Sequence, residues 1–171
     1  MGRAKEKPLF SEQTDYEDDY AQWLFEQAEL LRQKRFAEID LANLVEELES
    51  MGREQRHALR SSYRLVISHL LKWCLQPQLR TTSWQVTLVR ERDNIQQRES
   101  DNPSLKAIAS TLVLDAYGKA VREAALETGL PMSAFPRECP WSPDQLRQED
   151  FLPDSLVTDA APASGRRKLD L

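Results

Sequence analysis

The sequence predicts an all-α fold: a single compact helical bundle of four to five main helices, closed by a C-terminal proline-rich strap. Three observations predict it. Apolar residues recur at a period near 3.6, and strict alternation is almost absent. The segments between these runs carry helix caps and stops rather than hairpin turns. The chain of 171 residues is 40% hydrophobic and 30% charged, the balance of one soluble globular domain with a modest core.

The first helix is expected from Thr14, where Thr14 and Glu17 have capping-box spacing and Glu17, Asp18 and Asp19 load the positive end of the dipole. Its buried stripe would be Tyr16, Tyr20, Trp23, Leu24, Leu30 and Leu31, and "RQKRF" (32–36) supplies cations for its end. Asp40 caps the second helix, with Ile39 and Leu44 placed as a hydrophobic staple. Leu41, Leu44, Val45, Leu48 and Met51 form that helix's apolar face. Gly52 either ends it or sits inside a longer helix. A third stretch runs from about Arg53 to Gln76 and stops before Pro77. Its second half, "YRLVISHLLKWCL" (63–75), is apolar nearly all round, as in the central helix of a bundle.

"TTSWQVTLVRERDNIQQRES" (81–100) reads as a fourth helix with a Thr or Ser cap. "SDNPSL" (100–105) is a linker whose Pro103 suits the first turn of a fifth helix. That helix carries Leu105, Ile108, Leu112, Val113, Ala116, Tyr117, Ala120, Val121 and Ala124, and stops at Gly129. "LPMSAFPRECPWSPDQL" (130–146) reads as an extended strap whose rings plug surface grooves, followed by a turn or two of helix after Ser142-Pro143. The organisation expected is a flexible N-terminus (1–13), a helical domain (14–153) and a disordered tail (154–171).

Several function classes are disfavoured. A formal charge of -5 argues against generic nucleic-acid affinity. No apolar run reaches the length of a membrane span, and "MGRAKEKPLF" has no secretory h-region. Cys74 and Cys139 are too few and too isolated for a zinc motif or disulfide framework, so a cytoplasmic address is expected. There is no Gly-rich phosphate loop, and no cofactor is expected.

Three groups of residues have chemical potential. Asp40, Asn43 and Glu47 share one sector flanking the apolar face, and Glu54 and His57 form a single Glu-x-x-His. Di-metal bundles use two such motifs and two further glutamates. Only if Gly52 closes a hairpin would Glu47 meet His57; in a continuous helix Glu47 and His69 lie about 33 Å apart. Without such a site, Asp40 is a cap and Glu47 an edge residue. The second group, Arg53, Arg56, Arg60 and Arg64, forms a ladder on one face: an anion or nucleic-acid strip, or the solvated side of an amphipathic helix. Few aromatics interleave with it, so the solvated side is the simpler reading. The third, His69 beside Trp73, reads as a buried histidine needing a partner rather than a catalyst, because no nucleophile accompanies it. In "PQLRTTSW" (77–84), Arg80 beside a helix start is an anion candidate or part of a capped turn.

The ordered series "DYAQWLFEQAELLRQKRFAEIDLANLVEELESMGREQR", "HLLKW", "SW", "PSL", "AY" and "FPRECPW" resembles the bacterial family known as domain of unknown function 29, abundant in cyanobacteria, over about residues 15–153. The resemblance implies a small all-helical protein and carries no activity with it. It points to Gln27, Asp40, Asn43, Glu47 and His69 as polar positions that packing alone does not explain, and hence to a buried or half-buried polar network. His57 falls outside the family-like pattern. The function expected is a non-enzymatic interaction module, recognising a protein partner or assembling with itself. The alternative is a metal-binding bundle using Glu47 with His57 or His69, and a third reading is nucleic-acid binding through the arginine face.

Overall fold

The computed structural model describes residues 8–156, and within them the chain is all-α, as expected, with no strand among the described residues. Helices α1 (Tyr20–Arg32), α2 (Leu41–Leu75), α3 (Thr82–Asp101), α4 (Pro103–Ala107), α5 (Ala109–Thr128) and α6 (Pro143–Arg147) follow one another, with 3₁₀ turns at Phe36–Glu38, Pro77–Leu79 and Met132–Ala134. The chain divides into two compact units, residues 1–54 and 55–171. Most of the segments expected to be flexible or disordered, 1–7 and 157–171, lie outside the described residues.

In the first unit, α1 begins six residues later than its sequence suggests. Asp19, not Thr14, is its N-cap and accepts from the Gln22 N–H; the Thr14 N–H and hydroxyl both go instead to the Glu26 carboxylate. A carboxylate taking two donors outcompetes a capping box with one Thr hydroxyl. The helix ends in a Schellman turn, Arg35 N to Leu30 O and Lys34 N to Leu31 O, with Lys34 in the left-handed region at φ 59°. Of the stripe expected on α1, Trp23 and Leu30 are buried, whereas Tyr20, Leu24 and Leu31 are exposed.

Helix α2 settles the question at Gly52: it is one continuous helix of 35 residues. Asp40 caps it, accepting from the Asn43 N–H at 3.3 Å, and Pro77 follows its end. A helix that has already formed carries one exposed glycine at about 1 kcal/mol, less than ending and restarting would cost.

The second unit holds a contiguous core. Leu59, Tyr63, Val66, Ile67, Leu70 and Leu71 from α2 meet Leu88 and Ile95 from α3 and the alanine-rich face of α5. Thr81 caps α3, accepting from the Trp84 N–H. The linker expected at 100–105 shrinks to Asn102, because Pro103 at once opens α4. Gly129 closes α5 in the left-handed conformation, φ 71°, where an L side chain would be strained.

The strap after α5 buries Phe135 and Trp141 against this core. Tyr117 donates to the Pro136 carbonyl at 2.7 Å, and Ser142 and Gln145 make a full capping box for α6. The buried Arg92 guanidinium donates to the carbonyls of Leu146, Glu149 and Phe151, so one side chain satisfies three backbone acceptors of a segment without a ladder of its own.

Candidate interaction surface

The apolar face expected on the first half of α2 forms, but it is not buried. Leu41, Leu48 and Met51 are each more than 60% exposed, and Val45 is also exposed; Leu44 is half-buried. At 100° per residue these five positions span an arc of about 120°. Gly52 falls inside that arc and leaves open space, with no atom within 4 Å of where a Cβ would sit. Glu47 borders the arc on one side and Glu49 on the other. Helix α1 exposes Phe25 and Leu31, and the turn after it exposes Phe36. Residues 8–54 carry thirteen Asp and Glu against four Lys and Arg, so this apolar surface lies in an acidic unit.

A polar and aromatic scaffold holds α1 to α2 within the unit. Gln27 is buried, and its Oε1 accepts from the Asp40 N–H at 2.9 Å; Asp40 Oδ2 accepts from Asn43 Nδ2 at 2.7 Å. Three of the polar positions singled out in the sequence are thus joined. Glu47 belongs to a neighbouring cluster, accepting from the Tyr16 hydroxyl at 2.5 Å and the Tyr20 hydroxyl at 2.7 Å. Tyr16 stands edge-on to Trp23 with centroids 5.0 Å apart, and Tyr20 stacks on Trp23 at 6.2 Å. Trp23 is buried, with its Nε1 unpartnered among the described residues.

These hydrogen bonds set the protonation of the cluster. Donation by Tyr16 first, and by Tyr20 second, holds the Glu47 carboxyl below its ordinary value. The same bond to Glu47, followed by desolvation, pushes the Tyr16 hydroxyl up to about 12. Near neutral pH the arrangement is two neutral phenols on one carboxylate, which is a structural clamp rather than an acid-base pair poised for transfer.

His69 takes no part in that network. Its Nδ1 lies 2.9 Å from the Leu65 carbonyl one turn back in α2, so this nitrogen bears the proton. Burial, with the Lys72 charge second, lowers its pKa. Lys72 is itself buried, 5.0 Å from the Trp84 ring centroid and paired with Glu127. Arg80 stacks on Trp73 at 4.6 Å and donates to the Trp73 carbonyl at 3.0 Å, the capped-turn outcome.

The metal reading fails on geometry. Both Glu47 oxygens are taken by tyrosines, and α2 does not close the hairpin at Gly52 that a site shared by Glu47 and His57 requires. Among the described residues no group of three or more His, Cys, Asp and Glu stands where it would hold a metal ion. The arginine ladder is unequally paired: Arg53 reaches Glu49 at 3.4 Å, Arg56 lies 3.9 Å from Asp115, and Arg64 pairs with Glu123. Arg60 has no hydrogen-bond or ion-pair partner among the described residues.

Sequence reasoning missed the triad in which the buried Tyr63 donates to the buried Glu99 at 2.6 Å and the half-buried Arg147 donates to both. Its members lie 36 and 48 residues apart, beyond any helical periodicity. The Tyr16 and Tyr20 hydroxyls had a local signal, two phenols one turn apart, which was read as apolar surface alone.

No helix among the described residues is long and apolar enough to cross a membrane. No curated protein and no solved structure matches the chain. The family model described as Domain of unknown function DUF29 matches residues 16–152, and it is to this family that the protein belongs.

Proposed function

We propose that the protein is a non-enzymatic interaction module of a bacterial cytoplasm, and that the first half of α2 docks a basic amphipathic helix of another protein. One observation carries the reading: Leu41, Val45, Leu48 and Met51 stand exposed along one helical arc bordered by Glu47 and Glu49. A contiguous apolar stripe of this kind gains about 25 cal/mol for every Å² removed from water. An amphipathic helix is the partner shape whose i, i+3, i+4, i+7 anchors match such a stripe. The acidic border and the excess of carboxylates in this unit favour a cationic partner over a second copy, whose carboxylates would repel these.

A fluorescently labelled Leu/Lys heptad peptide tests it, with a Leu/Glu peptide of equal length as control. The Lys peptide is expected to bind in a salt-sensitive manner, at least tenfold more weakly to Leu48→Ser/Met51→Ser than to the unaltered chain, while the Glu peptide does not bind. The two substitutions lie at exposed positions, so helix content by circular dichroism should be unchanged. Equal affinity for the double variant, or no binding of the Lys peptide, would refute the reading. A concentration-dependent dimer in sedimentation that dissociates in the double variant would instead assign the face to a second copy.

A further inference from the structure

Between α2 and α5 of the second unit lies a cleft of about 190 Å³ lined by His57, Arg60, Ser61, Arg64, Ala116 and Lys119. On α2 the lining positions fall at i, i+3, i+4 and i+7, one face of the helix, and on α5 at i and i+3. Ala116 is buried at the floor; having only a methyl group, it leaves the space between the cations unfilled. Every ionisable side chain that lines the cleft is basic, in a chain whose formal charge is -5. Clustering like charges is unfavourable unless something negative meets them.

The protein supplies only part of that compensation. Arg64 pairs with Glu123 through one nitrogen of its guanidinium, and its other terminal nitrogen donates to Ser61 Oγ at 3.1 Å. This fixes the Arg64 side chain and orients the Ser61 hydroxyl beside it. Arg60 and Lys119 have no partner among the described residues. Two unspent cations, a held guanidinium, a hydroxyl and an imidazole therefore converge on one space.

We propose that this cleft is an oxyanion site that takes the phosphate group of a small phosphomonoester. The donor set decides the chemistry. Arg60 presents a planar fork, Lys119 an ammonium with three donors, and Ser61 and His57 one donor each, more than the two oxygens of a carboxylate can use. A tetrahedral oxyanion offers three or four oxygens in different directions and meets them. The volume lies below the roughly 300–1,000 Å³ of sites that enclose whole drug-sized ligands; it admits the phosphate and leaves the rest of the ligand outside. An extended nucleic-acid strand fits less well. No aromatic ring lines the cleft for a base to stack on, and Arg53 and Arg56, which would prolong the strip, already have acidic neighbours.

The test uses the full chain, inorganic phosphate and glycerol phosphate as probes, and titration calorimetry at low ionic strength. Both probes are expected to bind one to one. Arg60→Gln and Lys119→Gln should each weaken binding at least fivefold, and the double variant should abolish it. Neither side chain is buried in the core, so both variants should keep the wild-type circular dichroism spectrum and unfolding midpoint. Arg53→Gln, on the ladder but not lining the cleft, should leave the affinity within twofold. Absence of saturable binding, unchanged affinity in the double variant, or equal weakening by Arg53→Gln would overturn the proposal. So would a single-stranded oligonucleotide binding more tightly than either phosphate with Arg53 contributing, an outcome that assigns the arginines to nucleic acid.

Discussion

The Tyr16–Glu47–Tyr20 cluster shows how a residue's neighbours, more than its type, set its chemistry. Glu47 stands on the flank of an amphipathic helix, where a glutamate is ordinarily a solvated edge. Two phenols that donate to it make it the point at which α1 and the preceding turn are tied to α2. Tyr16 keeps its proton up to about 12 because losing it would place two negative charges within one hydrogen bond. The neutral phenol is thus favoured by the fold, so its stabilisation is complete below the ordinary value of 10.0 and is lost as pH rises through the folded value. Glu47→Gln keeps an acceptor but removes the charge. Its expected effect is to lower the midpoint of Tyr16 ionisation, read from phenolate absorbance, toward 10; a midpoint unmoved by the substitution would show that Glu47 is not the cause. His69 illustrates a different case, a ring whose Nδ1 is committed to a backbone carbonyl, which fixes its tautomer and orientation and leaves the lone pair on Nε2.

At the scale of elements, α2 is the feature whose extent local signals left open. Gly52 occurs at a point where a helix might end, yet the helix continues, and nothing lies within 4 Å of the position a Cβ would take. Gly52→Ala is therefore expected to stabilise the protein by about 0.4–1 kcal/mol, by lowering the entropy of the unfolded chain without meeting any atom. Chemical denaturation reads this as a higher midpoint at unchanged m-value; a lower midpoint would mean that the glycine is needed for a bend. The boundaries that were legible, Asp40, Thr81, Pro103, Gly129 and Ser142, are those where one residue's own chemistry satisfies or removes a terminal N–H, or relieves a left-handed backbone. The start of α1 was misread because the Thr14 hydroxyl and N–H had a stronger acceptor, Glu26, twelve residues away. The strap was legible in outline from its prolines and rings. That Arg92 would hold its carbonyls was not, because no spacing links α3 to residues more than fifty positions on.

For the whole molecule, protonation of paired groups sets the response to acid. Glu47 is held down by Tyr16 and Tyr20, and Glu26 by the Thr14 N–H. Burial opposes ionisation of Glu91, but hydrogen bonds from Arg90, Ser62 and Asn94, with the Arg90 charge, together outweigh it and the carboxyl remains low. For such groups the stability is present above the ordinary value of 4.5 and is lost as pH falls through the folded values. His69, kept neutral by burial, contributes stability above 6.5 and loses it as pH falls below. The urea midpoint is thus expected to be level from pH 7 to 8, to decline from about 6.5 and to steepen below about 4.5; a midpoint level down to pH 4 would contradict these pairings. By itself, the sequence determined that the chain is all-helical, where most helices stop, that the second half of the central helix is largely buried, and the family, because caps, breakers and a 3.6-residue period act within a few positions of one another. Only the tertiary structure decided that the apolar face of α2 stays open, that Glu47 and His69 serve different partners, and that Lys119 joins Arg60 and Arg64 around one cleft. Those outcomes depend on which faces find a neighbour across the chain, and periodicity marks a face as apolar or charged without naming what will lie against it.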